Sequence, residues 1–217
     1  MAEIKSNYYP TYQQQDVEIL DKTTSFRGFF TINTYKIRHR LYNGQWSGPV
    51  TREMFERGHA AVVLPYKADT DELVLVEQFR LGALATKSSP WLLEAVAGMF
   101  GPDESAEEVA RREAQEEAGL TLGRIEPMLS YLSSPGGTTE RIHLFLGEVM
   151  GEVVPGIYGL AEEHEDIRVQ LIPREDALTL LAEGLIDNAA TVIALQWLSL
   201  HGDTIRQRWN QVAAGAQ

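Results

Sequence analysis

The chain has 217 residues, 44% of them hydrophobic, enough for a proper core in one domain with an extension or in two small ones. A net charge of −12 and a pI near 4.9 argue against nucleic acid or an anionic membrane as partner. With no cysteine there is no disulfide framework, thiol nucleophile or thiolate metal site. The acidity is uneven. Up to Phe55 seven Lys/Arg face five Asp/Glu, a balance of +2, whereas the remainder sets 12 against 26, a balance of −14. The start, MAEIKSNYYP, lacks the apolar stretch of a signal peptide, and no apolar run approaches membrane-spanning length. A cytoplasmic protein is the expectation.

Residues 1–15 are polar and rich in Tyr and Gln, which predicts a loose arm. From Val17 the pattern turns strand-like. Phe29 to Arg38 alternates, Asn43-Gly44 is a hairpin turn signal before Trp46, and Val50 to Phe55 predicts a third strand. A meander this small is not stable alone, so it must pack on the body or pair with another copy. The expected division is an N-terminal arm and meander over 1–56 and a larger domain over 57–217. In the latter, Ala60 to Tyr66 and Glu72 to Arg80 predict two strands, and Trp91 to Val96 predicts a third. Ile125 to Leu132 and Ile142 to Met150 flank the loop Ser133-Ser134-Pro135-Gly136-Gly137-Thr138. Gly156 to Asp166 is Gly-rich and then acidic. Ile167 to Ile172 predicts a strand, Arg174 to Glu183 a helix, and Asn188 to Trp209 a long helix broken near Gly202.

Between these lies GMFGPDESAEEVARREAQEEAGL, Gly98 to Leu120. Ser105 and Glu108 read as a capping box and Gly119 as a helix stop, so a helix is predicted over Ala106 to Ala118. At ~100° per residue the apolar Ala106, Val109 and Ala110 share an arc with Glu113, Glu116 and Glu117, while Glu107, Arg111 and Gln115 take the far side. Carboxylates crowded on a core-facing arc repel one another, at a cost that rises as water is excluded. Ordinary helix design does not explain that choice. A bound hard cation such as Mg²⁺ or Mn²⁺, which takes oxygen ligands, does. The competing reading is a solvated charged face with i,i+4 pairs such as Arg112 with Glu116.

The same residues carry a resemblance. Gly98, Glu104, Arg112, Glu113, Glu116, Glu117 and Gly119 match every fixed position of the Nudix box, G-x5-E-x7-R-E-U-x-E-E-x-G-U, and Ala114 and Leu120 fill its apolar slots. The chain resembles a Nudix hydrolase, which implies an α/β/α sandwich with a mixed sheet. The resemblance implies that Glu113 and Glu117 hold divalent ions with the Ala97 carbonyl. It makes Glu104 a loop-to-helix clamp, Gly98 a tight turn and Arg112 the orienting ion pair. Glu116 stands beside them, and together with Arg112 and a base completes the catalytic set.

Further features resemble the ADP-ribose pyrophosphatase branch of that family. Pro135 lies 16 residues after Gly119, the N-terminal meander has the place of that branch's dimerisation element, and FRGFF, FERGHAAV, WLLEAVAGM and IDNAATVIALQWL fit it. GLAEEHEDIRV then makes Glu163 the base and Glu165 a further metal ligand, against the alternative of a solvated acidic loop. Substrate would be met by Phe29, Arg52, Glu53, Arg80, Met99, Ser134, Gly136 and Glu140, with Arg52 and Glu53 reaching across a homodimer into a shared active site. Phe29 as a core residue, and Arg52 with Glu53 as an exposed pair, are the structural alternatives. The implied activity is Mg²⁺-dependent hydrolysis of ADP-ribose to AMP and ribose 5-phosphate. Alternatives are another nucleoside diphosphate sugar such as GDP-mannose, or a non-catalytic ADP-ribose sensor.

Overall fold

A computed structural model describes residues 9–215, and the chain divides into two compact units. The first comprises residues 9–57 together with Ser134–Glu140. Strands β1 (Val17–Arg27), β2 (Thr31–His39) and β3 (Val50–Glu56) form an antiparallel meander. Its second turn is the one predicted: Gly44 has φ 83°, and the Leu41 N–H donates to the Gln45 carbonyl at 2.8 Å. Arg38 and Arg40 stack over the Trp46 ring just beyond it. The Ser134–Glu140 segment is tied in by backbone and side chain alike. The Phe55 N–H donates to the Gly137 carbonyl at 2.8 Å, Thr138 Oγ1 donates to the Phe55 carbonyl, and Arg57 pairs with the buried Glu140 at 3.1 Å.

The second unit is built on an eight-stranded mixed sheet. It uses β4 (Ala60–Lys67), β5 (Glu72–Phe79), β6 (Trp91–Glu94), β7 (Val96–Met99), β8 (Thr121–Leu132), β9 (Arg141–Met150), β10 (Gly156–Tyr158) and β11 (Ile167–Pro173). The order is β10-β11-β5-β4-β9-β8, with β6 paired to β5 and β7 to β4. β4 and β9 run parallel, from Ala60 opposite Ile142 to Tyr66 opposite Glu148. The near-continuous apolar run of β4 is what a strand covered on both faces requires. Its alternate side chains divide between two cores. Ala61 and Val63 join Val74, Val76, Val109 and Ala114 on the face covered by α1 (Ala106–Ala118). Val62, Leu64 and Tyr66 join Leu73, Leu75, Leu195 and Trp209 under α2 (Arg174–Ala182) and α3 (Ala189–Gly215). Each fully buried Val or Leu among them is worth about 1.5–3 kcal/mol relative to exposure. The result is an α/β/α sandwich. Among the described residues no helix is long and apolar enough to cross a membrane.

Two elements differ from expectation. The strand predicted over Trp91 to Val96 is two strands, because the chain changes pairing partner at Ala95. The predicted helix break near Gly202 is absent: α3 runs through it. A Cβ at Gly202 would meet Arg174 Nη1 at 3.0 Å and Leu198 Cδ1 at 3.3 Å, so that glycine marks close packing instead of a stop. Most of the predicted arm, residues 1–8, lies outside the described residues, and Gln14–Asp16 form a 3₁₀ turn.

Candidate active site

The site is built where β7 runs into α1. Both ends of that helix are set locally. Ser105 Oγ accepts the Glu108 N–H at 3.3 Å, Glu108 returns the contact to the Ser105 N–H at 2.8 Å, and Gly119 closes the helix at φ 63°. Val109, Ala110, Ala114 and Ala118 are buried, and Glu117 lies among them at 2% exposure. Glu107 and Gln115 face solvent, so the predicted phase holds.

The Glu117 carboxylate accepts the Ala97 N–H at 3.1 Å and the Gln78 amide at 3.3 Å. Burial, reinforced by the nearby Glu113 charge, pushes its pKa up to about 8. Glu113 is also pushed up, first by burial and then by Glu116 and Glu165, with Arg112 opposing. Arg112 ties the set together. It forks onto Glu104 at 2.8 and 3.1 Å, reaches Glu113 at 2.7 Å and Glu116 at 2.9 Å, and donates to the Met99 carbonyl at 3.2 Å. That fork, and the Gly101 N–H at 2.7 Å, hold Glu104 below the usual carboxylate range.

Gly98 is not a turn. It lies within β7 opposite Ala61, and a Cβ there would stand 1.7 Å from Glu113 Oε1. Glycine is required because a carboxylate passes over the strand.

Arg80, at the end of β5, pairs with the buried Glu94 of β6 at 2.8 Å, and its charge favours ionisation of Glu117. Glu94 itself is raised, chiefly by burial. In the acidic segment Glu165 accepts the Leu160 N–H at 3.0 Å and lies near enough to Glu113 to raise its pKa. Glu163 ends a 3₁₀ turn, but its side chain lies outside the described residues. His164 is exposed, at φ 57°.

The first unit holds the remaining candidates. Phe29 is 89% exposed against the edge of Phe30, which removes the core alternative. Arg52 and Glu53 are exposed on β3, with Arg52 donating to the Thr51 carbonyl at 2.8 Å. Ser134 and Gly136 are exposed, while Glu140 is buried against Arg57. Reading the sequence missed Gln78 and Glu94. The available signals were a polar residue ending the apolar run of β5 and a lone charge inside WLLEAV.

A NUDIX domain model matches residues 56–195. The chain belongs to the Nudix family. It is 55% identical over 199 residues to an ADP-ribose pyrophosphatase of Escherichia coli strain K12, covering 92% of this chain and 95% of that protein. An ADP-ribose pyrophosphatase of Haemophilus influenzae is 46% identical over 203 residues, covering 92% and 94%. A GDP-mannose pyrophosphatase of Pectobacterium atrosepticum is 33% identical over 187 residues, covering 86% and 95%. A crystal structure of an ADP compounds hydrolase has the same fold, with a TM-score of 0.66 at 22% identity over 88% of this chain and 99% of that one.

Nudix hydrolases generally use divalent metal ions such as Mg²⁺, and the donor chemistry here fits one. Glu113 and Glu117 offer hard oxygens, and burial drives both toward protonation, a cost that a divalent charge would offset. Among the described residues no three His, Asp or Glu side chains are already gathered as a ligand set. Arg112 instead engages Glu113 and Glu116, so a cation would compete with its guanidinium.

Proposed function

We propose that this chain hydrolyses the pyrophosphate bond of ADP-ribose to AMP and ribose 5-phosphate, with Mg²⁺ as cofactor and Mn²⁺ able to substitute. The near full-length likeness to ADP-ribose pyrophosphatases carries the reading. The buried Glu117 and half-buried Glu113 of α1 support it as a site for anhydride chemistry. Glu113, Glu117, Glu165 and the Ala97 carbonyl would hold the cation, which screens the phosphate oxygens and makes water a better nucleophile. Arg112 keeps Glu113 and Glu116 in place through its fork onto Glu104. Arg80 meets the diphosphate, and Glu163 takes the proton from the attacking water. Phe29 stacks on adenine, a contact worth about 1–3 kcal/mol. Met99, Ser134 and Gly136 line the substrate, and Glu140 lines the terminal ribose.

In the same proposal the N-terminal meander makes a homodimer, and Arg52 and Glu53 reach adenine or phosphate in the site of the partner subunit, with Arg52 over the diphosphate. Val17, Ile19, Leu20 and Phe26 of β1 are exposed apolar side chains available to such pairing. Co-refolding Glu163→Gln with Arg52→Ala tests it. Mixed dimers with a shared site recover about a quarter of all sites intact under random pairing. Glu163→Gln mixed with Glu117→Gln, both acting within one chain, recovers none. No recovery in the first mixture, with mixed dimers confirmed by mass, leaves Arg52 in its own chain's site.

The substrate assignment is tested by turnover with Mg²⁺ on ADP-ribose, GDP-mannose, NADH and dGTP. The expected result is the highest kcat/KM on ADP-ribose. Preference for GDP-mannose moves the reading to another nucleoside diphosphate sugar, and binding of ADP-ribose without turnover makes the protein a sensor.

A further inference from the structure

The fold joins two stretches distinctive in the sequence: WLLEAVAGM, which carries Ala97 and Met99 of the site above, and IDNAATVIALQWL, none of whose residues takes part in that chemistry. At Ala95 the chain leaves β5 and joins β4, so its peptide falls between two ladders. A buried N–H there needs a partner from elsewhere. Thr191, 1% exposed in the first turn of α3, supplies it: its Oγ1 accepts the Ala95 N–H at 2.8 Å. Asn188, just before α3, donates its amide to the Leu93 carbonyl at 3.1 Å while its Oδ1 accepts the Thr191 N–H at 3.1 Å. Both ends of the crossing are thus held by a helix start nearly a hundred residues away in sequence.

What the crossing carries lies immediately on either side. Glu94, the residue before Ala95, pairs with Arg80 at 2.8 Å. Ala97, two residues after, gives its N–H to Glu117 at 3.1 Å. Helix capping alone does not explain the residue choices. A cap uses one acceptor, which Ser or Asp offers as well as Asn, and leaves the Asn188 amide donor without purpose. A capping box places Glu or Gln at the third helical position, where this chain has Thr, a poorer helix former whose hydroxyl is turned onto Ala95.

We propose that Thr191 and Asn188 are positioning residues of the hydrolytic site, pinning the strand crossing at Ala95 and so aiming the Arg80 guanidinium and the Glu117 carboxylate. The proposal rests on the pyrophosphatase reading for its activity readout and on backbone geometry for the rest.

Four variants test it: Thr191→Val, which keeps shape and deletes the acceptor; Asn188→Ser, which keeps a cap and deletes the amide; Thr191→Ser, which restores the hydroxyl; and Leu195→Ala, which weakens α3 from its buried face. Steady-state rates on ADP-ribose are measured well below every melting midpoint. Binding of ADP-ribose with a methylene-bridged diphosphate is followed by calorimetry, and hydrogen exchange is followed at the Ala97 amide. The pin predicts that Thr191→Val and Asn188→Ser each lose about tenfold or more in kcat/KM, since small misplacements of reacting groups are costly. Both variants exchange the Ala97 amide faster and bind the analogue more weakly. Thr191→Ser stays within about twofold, and Leu195→Ala loses stability while keeping its kcat/KM.

Wild-type kinetics in Thr191→Val, or an equal loss in Leu195→Ala, overturns the proposal. If Thr191→Val does not fold, Asn188→Ser decides by the same criteria. If wild type fails to turn over ADP-ribose, the substrate reading falls, and Ala97 exchange in the four variants still decides the pin.

Discussion

Two acidic stretches of this chain are nearly alike in composition, Glu113 to Glu117 in α1 and Glu162 to Asp166 after β10, and they are physically different objects. In α1 the helix sets each carboxylate at a fixed angle, so Glu117 is driven into the core, Glu113 is half-buried and Glu116 is held by Arg112. Along Glu162 to Asp166 the backbone makes a single 3₁₀ turn and a left-handed residue, and Glu162, His164 and Asp166 face water. The first arrangement stores electrostatic cost in the folded state, since burial raises both Glu113 and Glu117. Acidity alone says little; acidity at helical phase with a core is what sets the proposed cation site apart.

The comparison breaks first at Glu117. Glu117→Gln is expected to lower kcat on the order of a thousandfold, the loss of several kcal/mol of charge stabilisation, with the fold intact by circular dichroism. Wild-type turnover at limiting Mg²⁺ would remove Glu117 from the ligand set. The loop is probed next. Glu163→Gln should cost about a hundredfold in kcat with little change in KM, as for a base acting only in the transition state. An equal or larger loss in Glu162→Gln would shift that role along the loop.

Packing sharpens the contrast. Gly98→Ala must displace the Glu113 carboxylate and should destabilise by about 1–3 kcal/mol in urea titration. The charge stored in α1 should also appear as a pH slope. Glu117 has its folded pKa raised to about 8 from an ordinary value of 4.5. Between those values the folded state keeps a proton that the unfolded chain releases. Stability is therefore full at low pH and is lost as pH rises through that window. In metal-free protein, Glu117→Gln should gain roughly 5 °C more over wild type at pH 8 than at pH 5. No difference would mean that the burial cost is met by other contacts. At the smallest scale, Glu162→Gln should change stability by less than about 0.5 kcal/mol, as an exposed side chain does.

The α1 site was legible in the sequence because a helix turns spacing into direction: Ser105, Gly119 and the arc shared by Val109 and Glu117 are all local. The strands of the sandwich were legible where apolar runs were long, as in β4. What was not legible depends on partners distant in the chain. The split at Ala95 needs Thr191, the glycine at 98 answers to Glu113 and not to a turn, and Gly202 looked like a helix stop because Arg174 and Leu198 were not yet beside it. Gln78 and Glu94 were overlooked for the same reason, since their meaning lies in Glu117 and Arg80.

The placing of Ser134–Glu140 with the N-terminal strands has a consequence for how this architecture can be rearranged. A single cut between Arg57 and Gly58 does not free an autonomous catalytic module. It strands a hairpin tip whose carbonyl at Gly137 and hydroxyl at Thr138 are bonded to Phe55. It also deprives the buried Glu140 of the Arg57 charge, the kind of loss that costs more than the intact pair contributes. The front end and the 134–140 loop are therefore a heritable pair: recombination or trimming that keeps one without the other leaves a buried carboxylate with no counter-charge.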